Sequence, residues 1–273
     1  MVEFNIEEKC SPYNKYILTL NVFDVLFSEQ NIVRYLIYSS TTRASVKMPA
    51  KVLFVLTSHD KLGTTDNKTG WYLPEVAHPY HVLKAKGHDI TFLSPKGGKA
   101  PMDPGSGEAF KDDQLCKDFL ANKEAMSAID NTRKPSQIKA SDFKAIFYAG
   151  GHGPMFDLPG NQEIAKIGVG IYENGGIVSA VCHGPVGLVP LKLSNGEYLI
   201  KGKKVTAFTN AEEDAVQLTS IMPFLLETKL KELGGSFVAV DMWKPNVQVD
   251  GRLITGQNPA SATPVGEALA KLL

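Results

Sequence analysis

Cysteine is scarce in this chain, charge of neither sign is in surplus, no apolar run is long enough to cross a bilayer, and no histidine follows position 183. Three cysteines in 273 residues, odd in number and far apart, argue against a disulfide framework and for a reducing compartment, with cytoplasm as the default. Lysine plus arginine equals aspartate plus glutamate at 29 each. That balance speaks against nucleic acid, an anionic membrane surface or an acidic substrate, so a small ligand is expected. Tyr13 to Tyr38 is the most apolar early stretch, yet Asn21, Asp24, Glu29, Gln30 and Arg34 make it too polar to span a membrane. It lacks the basic opening, apolar segment and small-residue cleavage site of a secretory signal. Arg34, Arg43, Ser39, Ser40 and Ser45 fit a mitochondrial presequence, whereas Glu3, Glu7, Glu8, Asp24 and Glu29 oppose it, and that localisation stays open. Neither GxGxxG nor GKS/T follows a strand, so dinucleotide and P-loop chemistry have no support.

What is present begins at Met48. Short apolar runs at Val52 to Leu56, Ile90 to Leu93, Ala145 to Tyr148, Ile177 to Val181, Val205 to Ala207, Phe237 to Val240 and Leu253 to Thr255 alternate with helical patterns. The alternation predicts a doubly wound, mostly parallel α/β sheet with helices on both faces, a flavodoxin-like sandwich. A helix bent by Pro79 is expected early, a second one carries Ile164, Ile167 and Ile171, and a third carries Val265, Leu269 and Leu272. The organisation expected is one domain over 48–273, with 1–47 an appendage of unknown role and no assigned chemistry. Residues 97–142, rich in Pro, Gly and charge, are read as a loop and helices partly covering the site; a solvated insertion fits the same composition.

In such sheets the reactive crevice lies beyond the carboxyl ends of the strands. Cys182 stands at one such end, where Ile177 to Val181 stops and His183, Gly184 and Pro185 open the next segment. A sharp turn there lifts the thiol above the sheet, and a following helix N-terminus would favour a thiolate. A lone cysteine after an apolar run is more commonly a core thiol. Its position and the adjacent histidine favour a nucleophile. Because all six histidines lie at or before position 183, His183 is the leading base. Glu212, Glu213 and Asp214 follow the Val205 run and supply three carboxylates for its far nitrogen, unless they merely open a helix.

Gly150, Gly151, His152 and Gly153 follow the Ala145 run, where a glycine turn brings backbone N–H groups close to a reacting oxygen or to substrate, although glycine also simply turns chains. Glu75 stands near the start of the early helix, on the same edge; buried beside a thiolate it would be a proton donor or shuttle, and otherwise a helix acid facing water. Glu75, His78 and His81 recur every third residue, but that spacing drifts around a helix, and no metal is expected there.

Taken together, Ala180-Val181-Cys182-His183-Gly184-Pro185, Ala149-Gly150-Gly151-His152-Gly153 and Thr255-Gly256-Gln257-Asn258-Pro259-Ala260-Ser261-Ala262 resemble the PfpI-like (DJ-one) superfamily. More narrowly they are similar to its fungal branch of glutathione-independent glyoxalase III enzymes, also described as heat-shock-protein-thirty-one-like chaperones. The resemblance covers Pro49 to the C-terminus. It implies Cys182 as nucleophile, His183 as partner, Glu213 as third member, Glu75 as the carboxyl near the sulfur, and Gly151 with its loop as the oxyanion side. The implied activity is conversion of methylglyoxal and water to lactate, a lyase reaction without a cofactor. A homodimer in cytoplasm and nucleus, with unfolding proteins as further clients, belongs to the same implication. Alternatives are a stress chaperone or redox sensor without turnover, a cysteine peptidase or amidase, and a member that has lost activity.

Overall fold

The computed structural model describes residues 49–273. The N-terminal extension, and the mitochondrial reading attached to it, lie outside the described residues. The chain enters at β1 (Lys51–Val55), passes through α1 (Leu73–Ala85) and returns as β2 (Asp89–Leu93). Three helices follow, α2 (Pro104–Ala109), α3 (Gln114–Ala121) and α4 (Lys123–Asp130), before β3 (Ala145–Tyr148). Next come α5 (Pro154–Asp157), α6 (Gln162–Glu173) and β4 (Ile177–Val181). The last third holds β5 (Lys204–Val205), α7 (Asn210–Ala215), α8 (Leu226–Glu232), β6 (Ser236–Phe237), β7 (Val247–Asp250), β8 (Leu253–Gly256) and α9 (Ala262–Leu272).

Among the described residues the main sheet has six strands in the order β2-β1-β3-β4-β8-β7, all pairs parallel except β7 with β8. β3 and β4 are buried along their whole length. That is why they read as nearly continuous apolar runs, broken only by the buried Ser179, rather than as alternating ones. Alternate side chains nevertheless enter different layers. Ile146, Tyr148, Val178 and Ala180 join the cluster that takes in α6 residues Ile164, Ile167 and Ile171. Ala145, Phe147, Ile177 and Val181 join the opposite cluster, with Val76, Ala77 and Tyr80 of α1 and Val265 and Leu269 of α9. The doubly wound α/β arrangement is thus present.

Two expectations are corrected. Val205 and Phe237 do not extend the main sheet; β5 and β6 pair with each other in a separate two-stranded parallel ladder. Two-residue ladders leave too short an apolar signature to tell one sheet from another. The other correction is β7, an antiparallel edge whose half-buried residues give no continuous apolar run. Within 97–142, residues 101–110 brace the start of α1: Trp71 N–H donates to the Pro101 carbonyl at 2.9 Å and Leu73 N–H to the Ser106 hydroxyl at 3.1 Å. α3 packs on α1 and α4 on β2, with Cys116, Phe119, Ala125 and Ile129 buried in the cluster that holds Phe54 and Phe92.

Register places the site. Val55 lies beside Tyr148, Tyr148 beside Ala180, and Val181 beside Gly256. The residues that follow, Ala149 to Gly153, Cys182 and Gln257, therefore emerge at one edge of the sheet.

Candidate active site

Cys182 is the first residue after β4 and adopts φ 59°, left-handed backbone that a non-glycine residue rarely takes. Two main-chain bonds hold it there: its N–H donates to the Gly256 carbonyl at 2.9 Å, and its own carbonyl accepts from Phe208 N–H at 2.9 Å. The following segment is a 3-10 helix, Gly184–Leu188, rather than the α-helix expected. A five-residue helix with glycine and proline in its first turn offers little dipole. The thiol is buried, 4% exposed, and burial first, then the adjoining Glu75 carboxyl, push it well above the ordinary thiol range, against the opposing pull of the Gly151 and His183 N–H groups. The expectation of a resting thiolate stabilised by a helix N-terminus is therefore corrected. Desolvation wins over the nearby N–H groups.

Proton removal must come from a neighbour. His183 Nδ1 lies 3.5 Å from Cys182 Sγ, and His183 Nε2 lies 2.6 Å from Glu213 Oε2. Burial lowers the His183 pKa, as does the nearby His152, while Glu213 pulls it up, and the net direction is down. A neutral imidazole that donates Nε2–H to the carboxylate leaves Nδ1 as an acceptor facing the thiol. Glu213 comes from the first turn of α7, whose start is fixed by a capping box: Thr209 Oγ1 accepts from Glu212 N–H while the Glu212 side chain accepts from Thr209 N–H. Burial would raise the Glu213 carboxyl, but the charges of and hydrogen bonds from His183 and His152 outweigh it and hold it well below the usual carboxylate range.

Glu212 and Glu213 part company because adjacent helical residues point about 100° apart. Glu213 turns toward the histidines. Glu212, fully buried, accepts from Thr209, Gln257, Asn258 and the N–H of Trp243 at 2.8 to 3.2 Å, tying α7 to residues 243–258. The motif around Gly256 and Asn258 thus has two structural tasks, receiving the Cys182 N–H and closing this network.

Gly150 and Gly151 are required by close approach. A Cβ on Gly150 would meet Glu75 Oε2 at 2.4 Å and Cys182 Cβ at 2.9 Å; one on Gly151, at φ 93°, would meet the Gly70 carbonyl at 2.4 Å. The turn therefore wraps directly over the sulfur. The Cys182 N–H is committed to Gly256, so the N–H groups of Gly151 and His183 are those able to receive an oxyanion. Gly153 lies farther along, against Thr57 and the Gly70 carbonyl. His152 is placed differently from a plain turn residue: its Nε2 lies 2.9 Å from Glu213 Oε1, and its ring centroid is 4.3 Å from that of His183. Those three side chains lie close enough together to hold a metal ion, but a cation there would occupy the histidine and carboxylate that face the Cys182 thiol.

Glu75 sits in the first turn of α1, completely buried, and neither carboxyl oxygen has a partner at full hydrogen-bond geometry. Burial lifts its pKa to about 8, opposed by the Cys182 side chain and the Gly150 backbone. At neutral pH it is a carboxylic acid beside the sulfur. His81 is not drawn to it; that ring reaches the Leu115 carbonyl instead, and His78 faces Asp113 and Cys116, so the helical Glu75–His78–His81 set does not converge. Sequence reasoning missed Phe208, whose ring lies 4.5 Å from His183, and Trp243, 5.8 Å from Phe208. It also missed Tyr72, whose hydroxyl is pushed up by burial and then by Glu75 and Cys182. The signal for Tyr72 was its place three residues before Glu75; nothing local marked Trp243.

Known proteins resemble this chain over most of its length. Glyoxalase 3 of Candida albicans is 34% identical over 234 residues, covering 80% of this chain and 95% of that protein. The glutathione-independent glyoxalase HSP31 of Saccharomyces cerevisiae is 35% identical, covering 78% and 94%. The crystal structure of glyoxalase III from Candida albicans superposes with a TM-score of 0.75 at 33% identity, covering 81% of this chain and 96% of that one. With residues 70–272 matching the DJ-1/PfpI family as well, the chain belongs to the DJ-1/PfpI family.

Proposed function

We propose that this protein is a glutathione-independent glyoxalase that converts methylglyoxal and water to lactate through a thioester on Cys182. The observation that carries the reading is the continuous chain from Cys182 Sγ through His183 to Glu213, at 3.5 Å and 2.6 Å, with a protonated Glu75 on the other side of the sulfur. A nucleophile only 4% exposed suits a small aldehyde, and it disfavours the peptidase alternative, which needs an open groove.

His183 Nδ1 accepts the thiol proton as sulfur bonds to the aldehyde carbon, giving a hemithioacetal alkoxide that the Gly151 and His183 N–H groups receive. Imidazolium returns that proton to the alkoxide oxygen. Neutral again, the imidazole takes the hydrogen from the former aldehyde carbon as a proton, and the electron pair flows to the adjacent ketone oxygen, giving an enediolate. Imidazolium delivers that proton to the adjacent carbon while the hydroxyl proton of the sulfur-bearing carbon passes to the enediolate oxygen, and the lactoyl thioester results. Water then cleaves the carbon–sulfur bond to release lactate and restore the thiol. Glu75, a neutral acid in this range, donates a hydrogen bond to sulfur or oxygen as charge develops. Glu213 stays ionised and keeps both histidines oriented. Every step uses this chain's own residues and water.

Purified protein given methylglyoxal without added thiol should form lactate, and Cys182→Ala should form none above the uncatalysed rate. Lactate formation by Cys182→Ala at the parental rate, or none by the parent, would defeat the reading. The catalytic unit is residues 48–273, so protein starting at Met48 should retain the parental kcat; a large loss would assign the extension a part in catalysis. Val240, Met242, Trp243 and Val249 are exposed apolar residues of 240–249, at the β7 end of the sheet, and they support association with a second copy or with unfolding clients. No helix among the described residues is long and apolar enough to cross a membrane.

A further inference from the structure

One turn along α1 from Glu75, a second cysteine and a histidine meet a carboxylate, and none of the three is used by the reaction. His78 lies one turn after Glu75 on α1; Asp113 caps the N-terminus of α3, and Cys116 lies in its first turn. His78 Nε2 is 3.2 Å from Asp113 Oδ1 and 3.9 Å from Cys116 Sγ, and the three ligand atoms lie within 4.8 Å of one another. We propose that His78, Asp113 and Cys116 form a three-ligand site for a borderline-soft divalent cation, foremost Zn2+, that clamps α1 to α3.

Three features carry the proposal. The first is spacing. Tetrahedral Zn2+ with Zn–S of about 2.3 Å and Zn–N or Zn–O of about 2.1 Å separates S from N by about 3.6 Å and N from O by about 3.4 Å, close to the distances present. Next is orientation. His78 Nδ1 lies 2.9 Å from Thr263 Oγ1 on α9, a hydrogen bond of the kind that fixes the ring and tautomer of a metal-bound histidine and directs Nε2 at the metal. The third is the donor set. Thiolate, imidazole and a single carboxylate select Zn2+ over the oxygen-seeking Mg2+ and Ca2+. Cys116 is fully buried, while the His78 and Asp113 side chains are 15% and 29% exposed, so one face stays open to water as fourth ligand.

On coordination Zn2+ takes the place of the Cys116 thiol proton, which leaves to solvent. The consequence is mechanical, since α1, the helix that carries Glu75, becomes fastened to α3 and, through Thr263, to α9.

Co2+ reports thiolate ligation through a near-ultraviolet sulfur-to-metal charge-transfer band. Full-length protein titrated with Co2+ should develop that band to one equivalent and lose it on addition of Zn2+. Cys182→Ala should retain it, and Cys116→Ser and His78→Ala should lack it. Thr263→Val should weaken Co2+ binding by about tenfold or more, the scale for removing a metal ligand's orienting partner. Absence of the band in the parent, its survival in Cys116→Ser, or its loss in Cys182→Ala overturns the site. Asp113→Asn keeps the acceptor that caps α3 but removes the charge, which covers a Cys116 variant that fails to fold; unchanged Co2+ affinity in Asp113→Asn also overturns it.

Discussion

Two buried carboxyl groups flank Cys182, and their surroundings drive them in opposite directions. Glu213 faces two imidazoles and is held ionised. Glu75 is buried against the Gly150 turn and the Cys182 side chain, neither of which meets it at full hydrogen-bond geometry, and is raised to about 8. The residue type is the same; the partners decide whether it serves as fixed charge or proton store. The largest expected effect comes from erasing the charged member. Glu213→Gln should lower kcat by about 10³–10⁴-fold, the scale seen when the carboxylate orienting a catalytic imidazole is replaced by its amide, with protein still folded by circular dichroism. A loss of less than tenfold in a lactate assay would remove Glu213 from the mechanism.

Erasing the neutral member should do something different. Glu75→Gln, which retains a donor but not the proton, should lose about 10²-fold in kcat. It should also change stability, with a sign fixed by the direction of the shift. A folded-state value of about 8 against the ordinary 4.5 means stability is fully present below about 4.5 and is lost as pH rises through about 8. Relative to Glu75→Gln, the parent should therefore weaken across that window, by up to about 1.4 kcal/mol per pH unit. Urea midpoints of both proteins across that range read it directly, and parallel curves would contradict the buried neutral acid. The smallest effect belongs to His152. His152→Phe removes one of two donors from Glu213 and a charge that depresses His183. A loss of about tenfold in kcat/KM is expected, one charge-assisted hydrogen bond's worth, with the acid limb of the pH profile displaced to higher pH. An unmoved limb would make His152 a bystander.

Much of this arrangement was legible before any coordinates. Strands β1, β3, β4 and β8 announce themselves as apolar runs, because a strand covered on both faces has little polar side to interrupt it, and the edge strand β2 shows through Ile90, Phe92 and Leu93. Once those ends are located, Glu75, the Gly150 turn and Cys182 fall on one edge by topology alone. Choosing between Glu212 and Glu213 was different. Both are buried and both are fully engaged, so local sequence carries no distinction, and the family resemblance rather than residue physics selected Glu213. The state of the thiol was misread for a physical reason. Sequence shows that a helix follows but not that it is a short 3-10 turn, nor that a second carboxyl sits against the sulfur. Residues 97–142 looked polar because α3 and α4 each show solvent one face, while Phe119 and Ile129 on their other faces fill the core.

The left-handed backbone of Cys182 has an evolutionary side. A non-glycine residue in that conformation costs about 1–2 kcal/mol, and the Gly256 and Phe208 main-chain bonds impose it whether or not the side chain reacts. Replacing Cys182 by glycine relieves this strain while deleting the nucleophile. Selection for robustness alone would then drift toward a sturdier, silent descendant, and keeping a cysteine at this corner demands continual pressure on turnover.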